Sequence, residues 1–262
     1  MKVFRFDISR RFIKVWRRNL SVYQQTWKIS FLPPLLEPLF YLLAFGIGFS
    51  TMIDGVHYQG LDLTYRQFLA PALISVAIMY NAFFETSYNS FVRMYYQKTF
   101  DAMLATPLNL AEIITGEVAW AATKSLLASA LMLVVITLFG LIDYPSGLLV
   151  LPLALLGGFG FAAIGMLFTA IVPNIETFNV PIFLFVTPMF LFSGTFFPLE
   201  NLPGWAQGLA MCLPLTHIVQ LVRGATLGHF TTGLWFSLFY LLVFGAVIFP
   251  IAVARMHRRL IK

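Results

Sequence analysis

Apolar residues along this chain gather into six long stretches, separated by short segments rich in polar residues, proline and glycine. The stretches cover residues 31–52, 65–91, 117–141, 148–172, 180–197 and 234–253. Each holds about the 20 residues that a helix needs to cross the hydrocarbon of a bilayer. The pattern predicts an all-α integral membrane protein with six transmembrane helices. Ser30 is placed to cap the first, and Pro33 and Pro34 suit its first turn, where missing N–H groups cost little. Between the stretches lie a polar loop at 54–64, a mixed segment at 92–112 that ends in a Pro-marked turn, and the turns "IDYPSG" and "PNIETFN".

Two regions depart from this rhythm. Over residues 4–28, Phe4, Ile8, Phe12, Val15, Val22 and Trp27 fall on one side at helical spacing, and Arg10, Arg11, Lys14, Arg17 and Arg18 on the other. That is the pattern of an amphipathic helix lying in the membrane interface. Between the fifth and sixth stretches, Pro198, Glu200, Pro203, Gly204, Pro214 and His217 interrupt apolar pieces too short to span. Broken backbone survives in lipid only where protein or a cavity satisfies it. This region is therefore predicted to be a re-entrant external helical hairpin, with Phe192, Phe196 and Phe197 beneath it as a dry gate. The domain plan is an interfacial helix at 1–30 and a six-span domain at 31–262.

Composition agrees. The chain is 59% hydrophobic and 11% charged, where a soluble domain carries about 25% charged residues. Its net charge of +6 does not point to nucleic acid, because eight of the 17 Lys and Arg lie in the first 28 residues and four more close the chain. Basic ends flanking an apolar body place both termini in the cytoplasm. The sole cysteine, Cys212, excludes an internal disulfide, and the basic N-terminal segment does not read as a removable signal peptide.

Chemistry-bearing motifs are sparse. There is no G-x-x-x-x-G-K-[ST] phosphate loop, no H-E-x-x-H and no Cys/His cluster. The chain is not expected to be an enzyme or to hold a metal or cofactor. Ser193 and His217 as a nucleophile and base are outweighed by a packing role for Ser193. Charges within the spans carry more weight, since they are costly in lipid. Glu37, Glu85, Glu117 and Lys124 fall at similar depth and are expected to form a structural ion-pair cluster centred on Lys124; a proton or ion relay is the alternative. Gly158, Ala162 and Gly165 share one helical face, which suits close packing. Tyr80, Phe84, Tyr88 and Phe91 form one aromatic row, and Phe183, Phe190 and Phe197 another. Such rows fill cores or face lipid, and they can also line a translocation path for a molecule that is part lipid and part sugar.

With "FDAMLATPLNLAEIITGE", "GEVAWAATKSLLAS", "SGTFFPLENLP" and "LPLTHIVQLVRGATLG" in view, the chain resembles the ABC-2 type permeases, and within them the NodJ-like lipooligosaccharide exporters. The resemblance covers nearly the whole length. It implies the membrane subunit of an ABC exporter in the bacterial inner membrane, paired with a second copy of itself. ATP and Mg would be bound by a separate dimer of cytoplasmic ATP-binding subunits. The substrate would be an amphipathic lipid or glycan. The resemblance also marks the segment after the second span as a coupling helix, in which Met94, Phe100, Met103 and Leu104 offer apolar contacts to the ATPase and Lys98 and Asp101 polar ones. Alternatives are a drug or lipid exporter permease of the same fold, an ion-coupled secondary transporter, and an intramembrane enzyme or scaffold.

Overall fold

The computed structural model describes residues 8–48 and 55–260; within the first helix the side chains of residues 28–35, 37, 38 and 45–47 fall outside that description. The chain folds into nine helical segments among the described residues, α1 (Phe12–Gly48), α2 (Tyr65–Tyr96), α3 (Thr99–Leu104), α4 (Leu110–Leu138), α5 (Ser146–Ile171), α6 (Glu176–Phe192), α7 (Gly204–Met211), α8 (Pro214–Thr226) and α9 (Gly233–Leu260).

Four of these, α2, α4, α5 and α9, are long and apolar enough to cross a membrane. The α7–α8 pair is bent by 86° and would add a fifth span only if counted as one, while α6 is a shorter apolar helix. The chain is thus a mostly helical, multi-pass membrane protein. Two expectations need correction. The predicted interfacial helix and first span are a single continuous helix, α1, with helical backbone through Pro33 and Pro34. Proline removes one N–H and kinks a helix, but it need not end one in a membrane bundle, where neighbours re-satisfy the backbone. The polar loop at 54–64 contains a small antiparallel hairpin, β1 (Val56–Tyr58) with β2 (Leu61–Leu63), where a plain loop was expected; the membrane body is helical, as the all-α reading has it. Gln59 and Gly60 both take positive φ, 49° and 81°, the conformation a tight hairpin turn requires.

Local signals explain the helix ends. Thr64 and Gln67 form a capping box at α2, and Asn109 and Glu112 form another at α4. The second starts α4 at Leu110, ahead of the Glu117 suggested by hydropathy. Ser9 donates to Glu112, which staples the segment before α1 to this same end. Packing is closest where side chains vanish. A Cβ on Gly116 would stand 2.8 Å from Phe12 O of α1. Gly158 lies against Ala122 and Ser125 of α4, and a Cβ on Gly165 would meet Phe83 O of α2 at 2.7 Å. The small-residue face of α5 thereby serves two neighbours at once.

Past Phe84 the backbone of α2 widens into two π-helical turns, Glu85–Asn89 and Val92–Tyr96. Hydroxyls occupy the carbonyls in this stretch: Ser87 Oγ donates to Phe83 O at 2.6 Å, and Thr169 Oγ1 of α5 to Thr86 O at 2.8 Å. Wide turns of this kind recur at functional positions in helices.

Candidate functional site

At the α3 end of the bundle, α1, α2 and α4 bring ionisable side chains into one network. The Arg93 guanidinium is its hub. Its Nη1 donates to Glu85 Oε1 at 2.9 Å and its Nε to Glu117 Oε2 at 3.0 Å. Lys124 Nζ and Asn89 Nδ2 donate to Glu85 Oε2 at 2.9 and 2.7 Å, and Trp120 Nε1 donates to Glu85 Oε1 at 3.2 Å. Asn19 Nδ2 of α1 reaches Glu117 Oε1 at 2.9 Å, and Ser90 Oγ reaches Glu117 Oε2 at 2.6 Å. Every oxygen of these two buried carboxylates therefore accepts a hydrogen bond, which is the condition for keeping a charge out of water.

This corrects the expected cluster. Its centre is Arg93, and Lys124 is a peripheral partner of Glu85 alone. Arg93 falls in the mixed segment after the second apolar stretch; the two π-helical turns keep it on the same helix as Glu85, to which it bonds. The side chain of Glu37 lies outside the described residues, and no place in the network is given to it. Arg18, Asn19, Tyr23, Glu85, Arg93 and Lys124 border a cleft of about 190 Å³ beside the network.

The segment assigned to coupling follows directly. Lys98 adopts a left-handed conformation that turns the chain off α2 into the short helix α3. Met94 and Phe100 are buried in the chain's own core, so they anchor the segment and cannot supply the expected outward contacts. Met103 and Leu104 are half-buried against that core. Lys98 and Asp101 are open, with side chains 67% and 60% exposed, as are Tyr95 and Tyr96, which sequence reasoning did not single out.

The aromatic positions form one row where two were expected. Ring centroids follow one another from Phe196 to Phe190 at 5.0 Å, Tyr80 at 5.9 Å, Phe84 at 5.6 Å and Tyr88 at 5.9 Å. Phe178, Phe91 and Tyr95 extend it at 5.1, 5.4 and 5.6 Å, up to the turn into α3. Phe183 and Phe192 are exposed on α6 and stand outside the row, and Phe197 is half-buried. A π-helical turn at Ile182–Val186 is the reason: its extra residue shifts Phe183 off the face that carries Phe190.

At the opposite end each proline of the predicted hairpin starts an element. Pro198 precedes a short turn at Leu199–Asn201, Pro203 precedes α7, and Pro214 opens α8. Glu200, Pro203 and Gly204 are exposed, whereas Pro214 and His217 are buried. His217 stacks on Tyr240 with centroids 4.0 Å apart, and its Nδ1 lies 3.0 Å from Ser237 Oγ, which donates to Gln220 Oε1 at 2.7 Å. Ser193 Oγ is buried with no hydrogen-bond partner among the described residues, His217 included, so the two form no pair. Sequence reasoning missed Arg223, which is fully buried on α8. Its Nη2 donates to Phe68 O at 3.1 Å and Gly194 O at 3.0 Å, and its guanidinium lies 3.8 Å from the Phe68 ring centroid. No group of three or more His, Cys, Asp or Glu fit for a metal occurs among the described residues.

Residues 10–227, from the start of α1 through α8, match the ABC-2 type transporter family. This chain belongs to that family. As an ABC-2 permease it is a transport subunit, which implies an ATP-binding partner and a transported substrate. Nodulation protein J of Rhizobium leguminosarum bv. trifolii is 37% identical over 254 residues, covering 97% of this permease and 95% of the relative. Nodulation protein J of Sinorhizobium fredii is 36% identical over 250 residues, covering 95% and 94%. Inner membrane transport permease YadH of Escherichia coli is 24% identical over 215 residues, covering 82% of each chain.

Proposed function

We propose that this permease exports an amphipathic, lipid-linked or lipooligosaccharide-like molecule across the bacterial inner membrane. Two copies form the conduit, both termini face the cytoplasm, and a separate dimer of ATP-binding subunits supplies the work. The observation that carries this reading is the unbroken row of half-buried rings from Tyr88 through Phe84, Tyr80 and Phe190 to Phe196. Aromatic faces accept both acyl chains and sugar rings, and the row joins the α3 end of the bundle to the α7–α8 pair. In this scheme α7 and α8 dip into the outer leaflet and close the external mouth. Force enters through Tyr95, Tyr96, Lys98 and Asp101, and reaches α2 because buried Phe100 fixes α3 to it. The full-length similarity to the Nodulation protein J relatives supports the substrate class.

The test uses inverted membrane vesicles that contain the permease and its ATP-binding subunit, with ATP-dependent uptake of a labelled lipooligosaccharide as readout. Tyr80→Ala with Phe84→Ala should lower uptake about tenfold or more, the scale of two lost aromatic contacts, while the ATP-binding subunit still copurifies. Asp101→Arg with Tyr96→Ala should instead release that subunit. Full uptake by both double variants would overturn the proposal.

A further inference from the structure

The cleft beside the Arg93 network has the chemistry of an anion site. Arg18, Arg93 and Lys124 line it with Glu85, and Arg93 also holds Glu117 behind it, so among the described residues three cations meet two carboxylates and one positive charge is in excess. All four carboxylate oxygens are already engaged, as described above. Donors are left over. Arg18 spends one N–H on Asn19 Oδ1 at 2.8 Å, and Lys124 spends one on Glu85. Both side chains are half-buried at the cleft edge, which keeps their remaining N–H groups close to a ligand.

Depth narrows the ligand. The apolar part of α2, Tyr65–Phe84, holds 20 residues, or about 30 Å of helix, which already fills the hydrocarbon. Glu85 and Arg93 follow at once, so the cleft opens at head-group level. Val22 and Val92 supply an apolar rim, and the Tyr23 ring stands edge-on to Trp120 with centroids 5.4 Å apart. Rings with one wet end are at home in this layer. The volume, about 190 Å³, is several times the roughly 30 Å³ that one water occupies in the liquid.

We infer that this cleft binds the phosphate group of an anionic phospholipid from the adjoining leaflet, with Arg18 and Lys124 as its ligands and Tyr23 and Trp120 as its walls. The phosphate takes up the excess charge, and the acyl chains leave over Val22 and Val92 into the bilayer. The site differs from the proposed aromatic path, and it does not depend on what the permease transports.

Native mass spectrometry of the full chain released from detergent tests this, with phosphatidylglycerol, phosphatidylcholine and inorganic phosphate as probes. Phosphatidylglycerol should bind about tenfold more tightly than phosphatidylcholine, because both carry the phosphate but only phosphatidylcholine brings a cation that the cleft's excess positive charge repels. Arg18→Gln should remove most of that preference. Val22→Trp, which fills the cleft from an exposed helix position without changing charge, should remove it too. Thermal unfolding checks that each variant is folded, and Val22→Trp decides the matter if Arg18→Gln is not. Undiminished preference in the folded variants would overturn the site. Binding of inorganic phosphate without a preference between the two lipids would overturn the lipid as ligand.

Discussion

Arg93 and Arg223 sit near opposite ends of the bundle. Arg93 lies between two carboxylates, whereas Arg223 has none within ion-pair distance among the described residues. Arg223 is held by two backbone carbonyls and by the faces of Phe68 and Tyr58, and its Nε has no hydrogen-bond partner among the described residues. The cation is neutralised by charge in one place and solvated by dipoles and ring faces in the other. The difference lies in what each arginine would leave behind. Without Arg93, two buried carboxylates lose their shared counter-charge. Without Arg223, only neutral acceptors remain, and the cost of burying a guanidinium disappears with it.

The sharpest way to break this comparison is Arg93→Met. It should destabilise the folded permease by about 3–5 kcal/mol, the usual cost of leaving buried ions uncompensated, read as lost expression or a lowered unfolding midpoint in detergent. Adding Glu85→Gln and Glu117→Gln to it should recover a large part of that loss. No recovery would mean that Arg93 acts through packing rather than charge.

Lys124→Ala comes next, at about 1.5–3 kcal/mol for one hydrogen bond to a charged group. Glu85 keeps Arg93, Asn89 and Trp120 as donors. Stability should fall and substrate choice should not; a variant as stable as the parent but altered in its response to a proton gradient would revive the relay reading. Arg223→Met should have the smallest effect, within about 1 kcal/mol, because relief of guanidinium burial offsets two lost hydrogen bonds. A large loss of stability in the same unfolding assay would erase the contrast.

The long spans were legible because apolar length alone reveals them: α2, α4, α5 and α9 all coincide with hydropathy stretches. Their ends were legible only in part. Asn109 and Glu112 spell a capping box, but hydropathy weighs apolar content alone and places the start of α4 seven residues late. The β1–β2 hairpin was also written in the alternation of Val56, Tyr58, Leu61 and Leu63 about Gln59–Gly60. Hydropathy alone renders a short amphipathic hairpin as a polar loop. The network shows the other kind of miss. Glu85, Glu117 and Lys124 stood out as charges in apolar runs, but Arg93 stood beyond the run. Reading at 3.6 residues per turn cannot anticipate π-helical turns, which depend on hydroxyls such as Thr169 from another helix. The same limit placed Phe183 in a row it does not join.

The cradle of Arg223 also orders events during synthesis. Its ring partners, Tyr58 and Phe68, precede it by more than 150 residues, and the Gly194 carbonyl precedes it by 29. A ribosome delivers these groups before α8 emerges, and chains begin to fold from the N-terminal side while still being made. The arginine therefore enters a bundle that already holds its ligands. A permuted chain that made α8 before α2 would have to carry a bare guanidinium until those carbonyls arrived.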